Sequence, residues 1–562
     1  MTGWGISPLT FRGALWAAIL ASVLVLSPAA VLAAAPALTV GDLGTIEGPI
    51  AGTLTDLDGG LGRAMWAGSD RAVVEGILDQ AVVASPSSTA RFLTRKLLLT
   101  AAIPPAGRGQ GTFNATRIRK LLLGGYVEDA ADLARAVRTT DADTQRVQAD
   151  AFLAAGHDAD ACGEGTTERL RSAERFWIAL RAYCYAVAAD DPALDLTRAV
   201  IEAEALGDEA LFALLDAEQG TPVTAIPAIA APTMVHLRLL VRHEMPLTAD
   251  MVNALGLPAN VAALRSEKTP REVRVASAER LLRLGALPPQ ALADALLLIV
   301  FRPQDLVGAA AMARNEPLLP ALARLRAASK TARTVEQRAE LAHTAFQLGE
   351  REGVLPQVAM VFGEDTATLV PARAWGNWAE LMARSLLLAG QPGAAGRWFD
   401  ILPAVNPDRS AAYLRAIYSV VAPNDPRSQL APQALVELAA TSSVRGVSPS
   451  LLTRAMLALG LVEATGRDMP PEARARTDAL LQIRHPGVRP PQLALQRIDA
   501  AALAGKRGEA VLGVLGALGP KGARDLAPDL VVRLVRALRT AGVNDGARAL
   551  TIEALLTYPT GT

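Results

Sequence analysis

Residues 379–407, AELMARSLLLAGQPGAAGRWFDILPAVNP, decide how this chain is read. Ala379, Met382, Ala383 and Leu386 recur at three- and four-residue intervals, which places them on one face of a helix. Gly390 follows Leu386 by four residues and Pro392 comes two later, so a helix stop is followed at once by a helix start. Ala395 lies five residues beyond the glycine, and Leu402 seven beyond that. Phe399 shares that second face, and Pro407 ends the unit. Small residues thus fall where two antiparallel helices touch. The stretch predicts a helical hairpin hinged on glycine.

Working outward, the pattern returns. Val531, Leu534, Val535, Leu538, Gly542, Ala547, Ala554 and Pro559 repeat nearly all of it. Ala494, Ile498, Ala501, Gly505, Ala510, Val514 and Ala517 repeat about half, as do Leu341, Ala342, Ala345 and Gly349. Upstream, Ala149, Phe152, Gly156 and Ala161 open a hairpin, and Gly125, Val127, Ala130, Ala134 and Val137 close one. Gly505 and Gly542 are 37 residues apart, near a 34-residue repeat. One such hairpin cannot bury its apolar face alone, so stacking is required. Composition agrees: the chain is 51% hydrophobic but only 4% aromatic, its apolar content being chiefly Ala, Leu and Val. Ala and Leu favour helix, and strands favour β-branched and aromatic residues. The expected fold is all-α, an α-solenoid with a concave face, in one array or two.

At these residues the chain resembles the tetratricopeptide repeat family, whose first helix carries small and large apolar residues before a turn glycine and whose second carries alanines before a proline. The Gly390 and Gly542 copies keep nearly every position and the others about half, while region 226–330 fits poorly. The resemblance implies a right-handed superhelix that holds partner proteins. The opening GLGRAMWAGSDRAVVEGIL, from Gly60, and the hairpin around the cysteines are also similar to a group of secreted bacterial helical-repeat proteins to which no activity is attached.

The first residues read as a secretion signal. Arg12 precedes an apolar run from Gly13 to Leu26, Ser27-Pro28 breaks it, and Val31-Leu32-Ala33 offers a small-residue cleavage pattern. Cleavage is expected after Ala33 or Ala34. The rival reading is an uncleaved anchor, because Gly13 to Ala35 is just long enough to span a bilayer. No later stretch is long and apolar enough, so no stable span is expected after cleavage. The periplasm is the expected compartment. Two cysteines, Cys162 and Cys184, are expected to form a disulfide there, the alternative being two buried thiols. Such a bridge would contribute roughly 3 kcal/mol.

The expected organisation is a signal peptide at 1–33, an extended arm or cap at 34–58, an N-terminal array at 59–219 and a Pro/Ala/Thr-rich linker at 220–233. A central helical region at 234–370 and a C-terminal array at 371–562 follow. Helix starts are read at Ser69, at Thr269-Pro270-Arg271-Glu272 and at Thr334 with Gln337 as its capping-box partner. Loops are read at 403–410, 422–433 and 441–450.

Catalytic motifs are missing: there is no G-x-S-x-G, no phosphate loop ending in Gly-Lys-Ser/Thr and no H-E-x-x-H. His236 and His243 sit seven apart and could share a helix face, but two ligands make a weak metal site. The architecture resembles the non-catalytic ring of soluble lytic transglycosylases, yet their Glu-Ser dipeptide is absent. Acidic and basic residues balance at 56 each, so no long-range pull toward nucleic acid is expected. The abundant arginines read as solvated helix faces. Trp375, Trp378 and Trp398 cluster at the best repeat, either packing hairpins together or contacting a partner. The functional expectation is a non-catalytic scaffold or adaptor holding an envelope protein or peptide in its groove, without cofactor or metal. The alternatives are a module that binds peptidoglycan or regulates a wall hydrolase, and an anchored part of an envelope machine. Oligomeric state is not legible.

Overall fold

The turn that joins two helices is the unit from which this protein is built. After Leu388 the chain passes through Gly390 at φ +71°, and the next residue, Gln391, donates its N–H back to the carbonyl of Leu386 at 2.8 Å. This six-to-one bond satisfies a helix-end carbonyl that would otherwise face water, and it requires a left-handed residue that glycine supplies without a Cβ clash. The four-residue spacing from Leu386 to Gly390 is therefore a backbone requirement. The same bond closes the turns at Gly125, Gly156, Gly505 and Gly542, with Tyr126, His157, Lys506 and Val543 as donors.

Gly349 departs from the expected pattern. It lies within the helix Val335–Glu352, and its own carbonyl accepts the closing bond from Val354, so the left-handed turn residue is Gly353. Glu350, Arg351 and Glu352 carry the helix one turn further, while Gly349 lets the next helix approach: a Cβ there would meet Val358 at 3.1 Å. Two further turns use no glycine at all. Ala189 and Glu244 adopt φ +55° and +51°, with Asp190 and Met245 closing onto Tyr185 and Leu240.

The structure is a computed structural model that describes residues 50–109, 111–163, 172, 174–204, 208–223, 225–402, 407–444 and 446–559. Ala33 and Ala34, with the rest of the signal segment, lie outside the described residues. The described residues form 28 α-helices, a few short 3-10 turns and no strand beyond four isolated bridges. Consecutive helices pack as antiparallel pairs, as in Ala379–Leu388 against Pro392–Phe399, Gln492–Leu503 against Arg507–Leu518, and Pro528–Thr540 against Asn544–Thr557. The fold is an all-α stack of helical hairpins. No helix among the described residues is long and apolar enough to cross a membrane.

Several helix ends differ from the sequence reading. Asp70, not Ser69, caps the helix Arg71–Gln80, accepting from the N–H groups of Ala72 and Val73. Ser69 instead donates to Glu509, 440 residues away. Thr269 does not cap Arg271–Arg283, because its hydroxyl accepts the N–H of Leu247, and Pro270 occupies the cap position. The capping box at Thr334 and Gln337 is present. Part of the stretch read as a loop at 403–410 belongs to the helix Pro407–Val421, and Ala431–Ser442 runs through the ends of the next two. At 220–233 the described residues carry no helix, and Ile226 and Ile229 line a cavity of about 580 Å³ with Leu240 and Met251.

The two ends of the described chain meet. The helix Ser88–Leu99 packs against both Arg507–Leu518 and Asn544–Thr557. Glu553, only 6% exposed, accepts from Ser87 Oγ at 2.6 Å, Ser88 Oγ at 2.9 Å and the Thr89 N–H at 2.6 Å. A carboxylate from the last helix thus sits at the N-terminus of an early one, where the exposed amide groups favour negative charge. Lys96 pairs with Asp545 on the same contact. Trp66 packs edge-on to Phe113 at 5.7 Å, and Gly508 gives it room, since a Cβ there would lie 2.6 Å from the indole. Buried Arg117 ties the arm to the body by donating to the carbonyls of Leu98, Ala51 and Thr100.

Cys162 and Cys184 form a disulfide with Cα atoms 5.6 Å apart. Beside it, Asp158 accepts from Tyr183 and from Arg238 and Arg242, joining three helices. Many arginines work this way, as cross-helix ties.

Two outcomes follow from this packing. Glu553→Ala strands two buried donors, Ser87 Oγ and the Thr89 N–H, while the exposed Ser88 hydroxyl can turn to water, and is expected to cost about 3 kcal/mol, read as a lowered urea midpoint. Ala189→Gly removes the left-handed penalty and is expected to raise stability by about 1 kcal/mol in the same assay.

Candidate functional site

The three tryptophans singled out in the sequence come together. Trp375 lies 6.1 Å from Trp378 and 6.1 Å from Trp398, with rings inclined by 17° and 27°. His343, from the helix Val335–Glu352, continues the column by stacking on Trp378 at 5.1 Å. Trp375 and Trp378 belong to a 3-10 segment, Arg373–Trp378, so their i, i+3 spacing eclipses the two rings. Trp398 is fully buried, and its two neighbours are partly buried. The column joins the hairpin at Gly390 to the preceding helical pair, and none of its rings lines a described cavity among those found. Burial holds His343 neutral, lowering its pKa to about 4, with Arg314 adding repulsion.

His236 and His243 do not share a site. His236 Nδ1 joins the capping box of Thr233 and its Nε2 lies 3.1 Å from Asp208, whereas His243 stands at the other end of Met234–Arg242, 2.8 Å from Glu218. Among the described residues no group of three His, Cys, Asp or Glu side chains is placed to hold a metal ion.

A second feature, with no motif to announce it, is a cavity of about 420 Å³ where the N-terminal hairpins meet the central region. The turn at Gly125 and Tyr126 forms one side. Val261 and Leu264 from Leu257–Arg265, Leu281 from Arg271–Arg283, and Ala291 and Ala295 from Pro289–Leu296 form the apolar wall. Arg91, Arg265 and Arg274 also line it. Its volume lies in the range of small-ligand sites, roughly 300–1,000 Å³.

Leu298, on its rim, begins a loop with an exposed apolar surface. Leu297, Val300 and Val307 are 63%, 79% and 75% exposed, and Met312, in the short helix Ala309–Ala313 that follows, is 44% exposed. The loop is pinned: Arg324 lies over the Phe301 ring at 4.5 Å, donates to the carbonyl of Asp305 and is itself held by Glu316. The one signal in the sequence is the apolar run from Leu296 to Phe301, which ends at Arg302-Pro303 without returning to a helical period.

Burial of His343 makes stability depend on pH. Unfolded, its imidazole takes a proton near pH 6.5, and folded only near pH 4, so the unfolded chain binds more protons between those values. Stability contributed by neutral His343 is therefore present at pH 7 and lost as pH falls from 6.5 toward 4, by an amount on the order of 3 kcal/mol. His343→Phe, which keeps the stack, is expected to lose less stability than the parent between pH 7 and pH 4.5 in urea titrations.

The chain matches no protein-family model, no curated protein and no solved structure.

Proposed function

We propose that this protein is a non-catalytic docking scaffold of the bacterial periplasm that holds an envelope protein on the exposed apolar segment 297–312. The exposed side chains Leu297, Val300, Val307 and Met312 carry this reading. Isolated exposed apolar residues are ordinary, but several on one pinned segment mark an interaction surface. Because Arg324 already orders the backbone there, docking loses little conformational entropy. The disulfide supports an oxidising compartment, as does the leader pattern at the N-terminus. A stack of hairpins supports a binding role, since such arrays present broad surfaces built from many helices.

The test is site-specific photocrosslinking in the native cell. A crosslinker at Val300 is expected to give one discrete protein adduct, and one at Leu503, which is equally exposed, is expected to give none. Identification of that adduct, followed by at least tenfold weaker binding of the purified partner to the Val300→Asp, Val307→Asp variant, completes the support. Equal labelling from both positions, or binding of the chain to purified peptidoglycan without any protein adduct, would overturn the reading.

A further inference from the structure

Arg91 is the arginine whose surroundings ask for something the chain does not provide. It rises from the helix Ser88–Leu99 into the 420 Å³ cavity, with its guanidinium over the Tyr126 ring at 4.4 Å. Its Nη1 is sealed from water and has no hydrogen-bond partner, and among the described residues no ion pair reaches the guanidinium. The acid on the wall whose charge acts on it, Asp129, is already gripped by Arg95 through two bonds of 2.5 and 2.7 Å. The Tyr126 hydroxyl donates elsewhere, to the Val83 carbonyl at 3.3 Å. A partly buried charge without a counter-ion is costly, and burial already draws Arg91 below its ordinary pKa. Arg274 repeats the pattern more weakly, its Nε buried without a partner and its Nη2 reaching the Leu264 carbonyl at 3.5 Å. Arg265 stands exposed at the mouth.

The remaining charges define the ligand. Three arginines and three acids, Glu128, Asp129 and Asp294, line the cavity, and Arg95 neutralises Asp129 from outside it. One net positive charge is left, enough for a monoanion and discouraging a dianion. The wall opposite is apolar. We propose that this cavity binds an apolar carboxylate, such as a medium-chain fatty acid or the free C-terminus of an apolar peptide, with the carboxylate on Arg91 and the body against Val261, Leu264 and Leu281. A carboxylate suits the accessible N–H groups of a guanidinium that the tyrosine ring already holds in place. This assignment stands apart from the docking reading, because it rests on Arg91 and not on the exposed loop.

Calorimetric titration of the full mature chain tests it with decanoate, methyl decanoate, and N-acetyl-Leu-Leu as free acid and as amide. Saturable one-to-one binding of decanoate or of the free acid is expected, with the uncharged counterpart at least tenfold weaker. Decanoate binding alone names an acyl chain as the source, and dipeptide binding alone names a peptide terminus. Arg91→Gln is expected to weaken binding at least tenfold, and Ala291→Phe, which fills the mouth from a partly buried position, to abolish it, both with an unchanged circular dichroism spectrum. If Arg91→Gln does not fold, Ala291→Phe and the uncharged ligands still decide. Absence of binding by both acids, equal binding of the uncharged counterparts, or parent-like affinity in a folded Arg91→Gln variant would overturn the proposal.

Discussion

The carboxylate of Glu553 is the constraint on which the rest of the fold depends. It ends a long excursion of the chain by seating the last helix on the first residues of an early one, where Ser87, Ser88 and Thr89 supply three donors. The same last helix accepts from buried Arg384 at the Leu556 carbonyl and from Tyr413 at the Leu555 carbonyl. It packs against Ala379–Leu388, Pro407–Val421 and Pro449–Ala464 as well as Ser88–Leu99. One helix thus anchors hairpins that are far apart in the chain. An isolated solenoid relies on nearest-neighbour interfaces alone. Here a buried carboxylate that accepts three hydrogen bonds adds a long-range link, and the cost of leaving its buried donors unpaired is what makes the link strong.

Within the stack, the recurring element is a backbone bond and the residues that permit it. Each glycine turn returns an N–H to a carbonyl five residues back, which sets the spacing between the last apolar contact of one helix and the start of the next. The turns at Ala189 and Glu244 show that the geometry, not the residue, is the requirement, since non-glycine residues adopt it where packing holds them. Close to one of these turns the chain adds other ties, the disulfide and the Asp158 cluster. The arginines that read as solvated faces are, in many places, bridges between helices.

The irregular region is where the cavity and the exposed apolar side chains gather. Region 226–330 fits the repeat least well, and there the helices are shorter. Regular hairpins fill the space between them with Ala and Leu. Irregular ones leave gaps, and the 420 Å³ cavity with its exposed apolar rim lies at the join between regular and irregular packing. The tryptophan column is the opposite case: Trp398 is wholly buried, and the stack bonds two neighbouring pairs together.

What the amino-acid order determines by itself is local. The helical periodicity around Gly390 and Gly542, the capping box at Thr334 and the nearness of Cys162 to Cys184 all lie within a few turns of chain, where spacing alone decides which groups meet. Even locally, alternatives only four residues apart, such as Gly349 and Gly353, were separated by which one had to admit the neighbouring helix. Tertiary structure alone decided the rest. Ser69 and Thr269 look like caps but serve distant partners, Glu553 meets residues more than 460 positions away, and Arg91 meets its cavity through helices from the middle of the chain. Such contacts leave no period in the sequence, because their cost is loop closure and their gain is burial, and both depend on where whole helices come to rest.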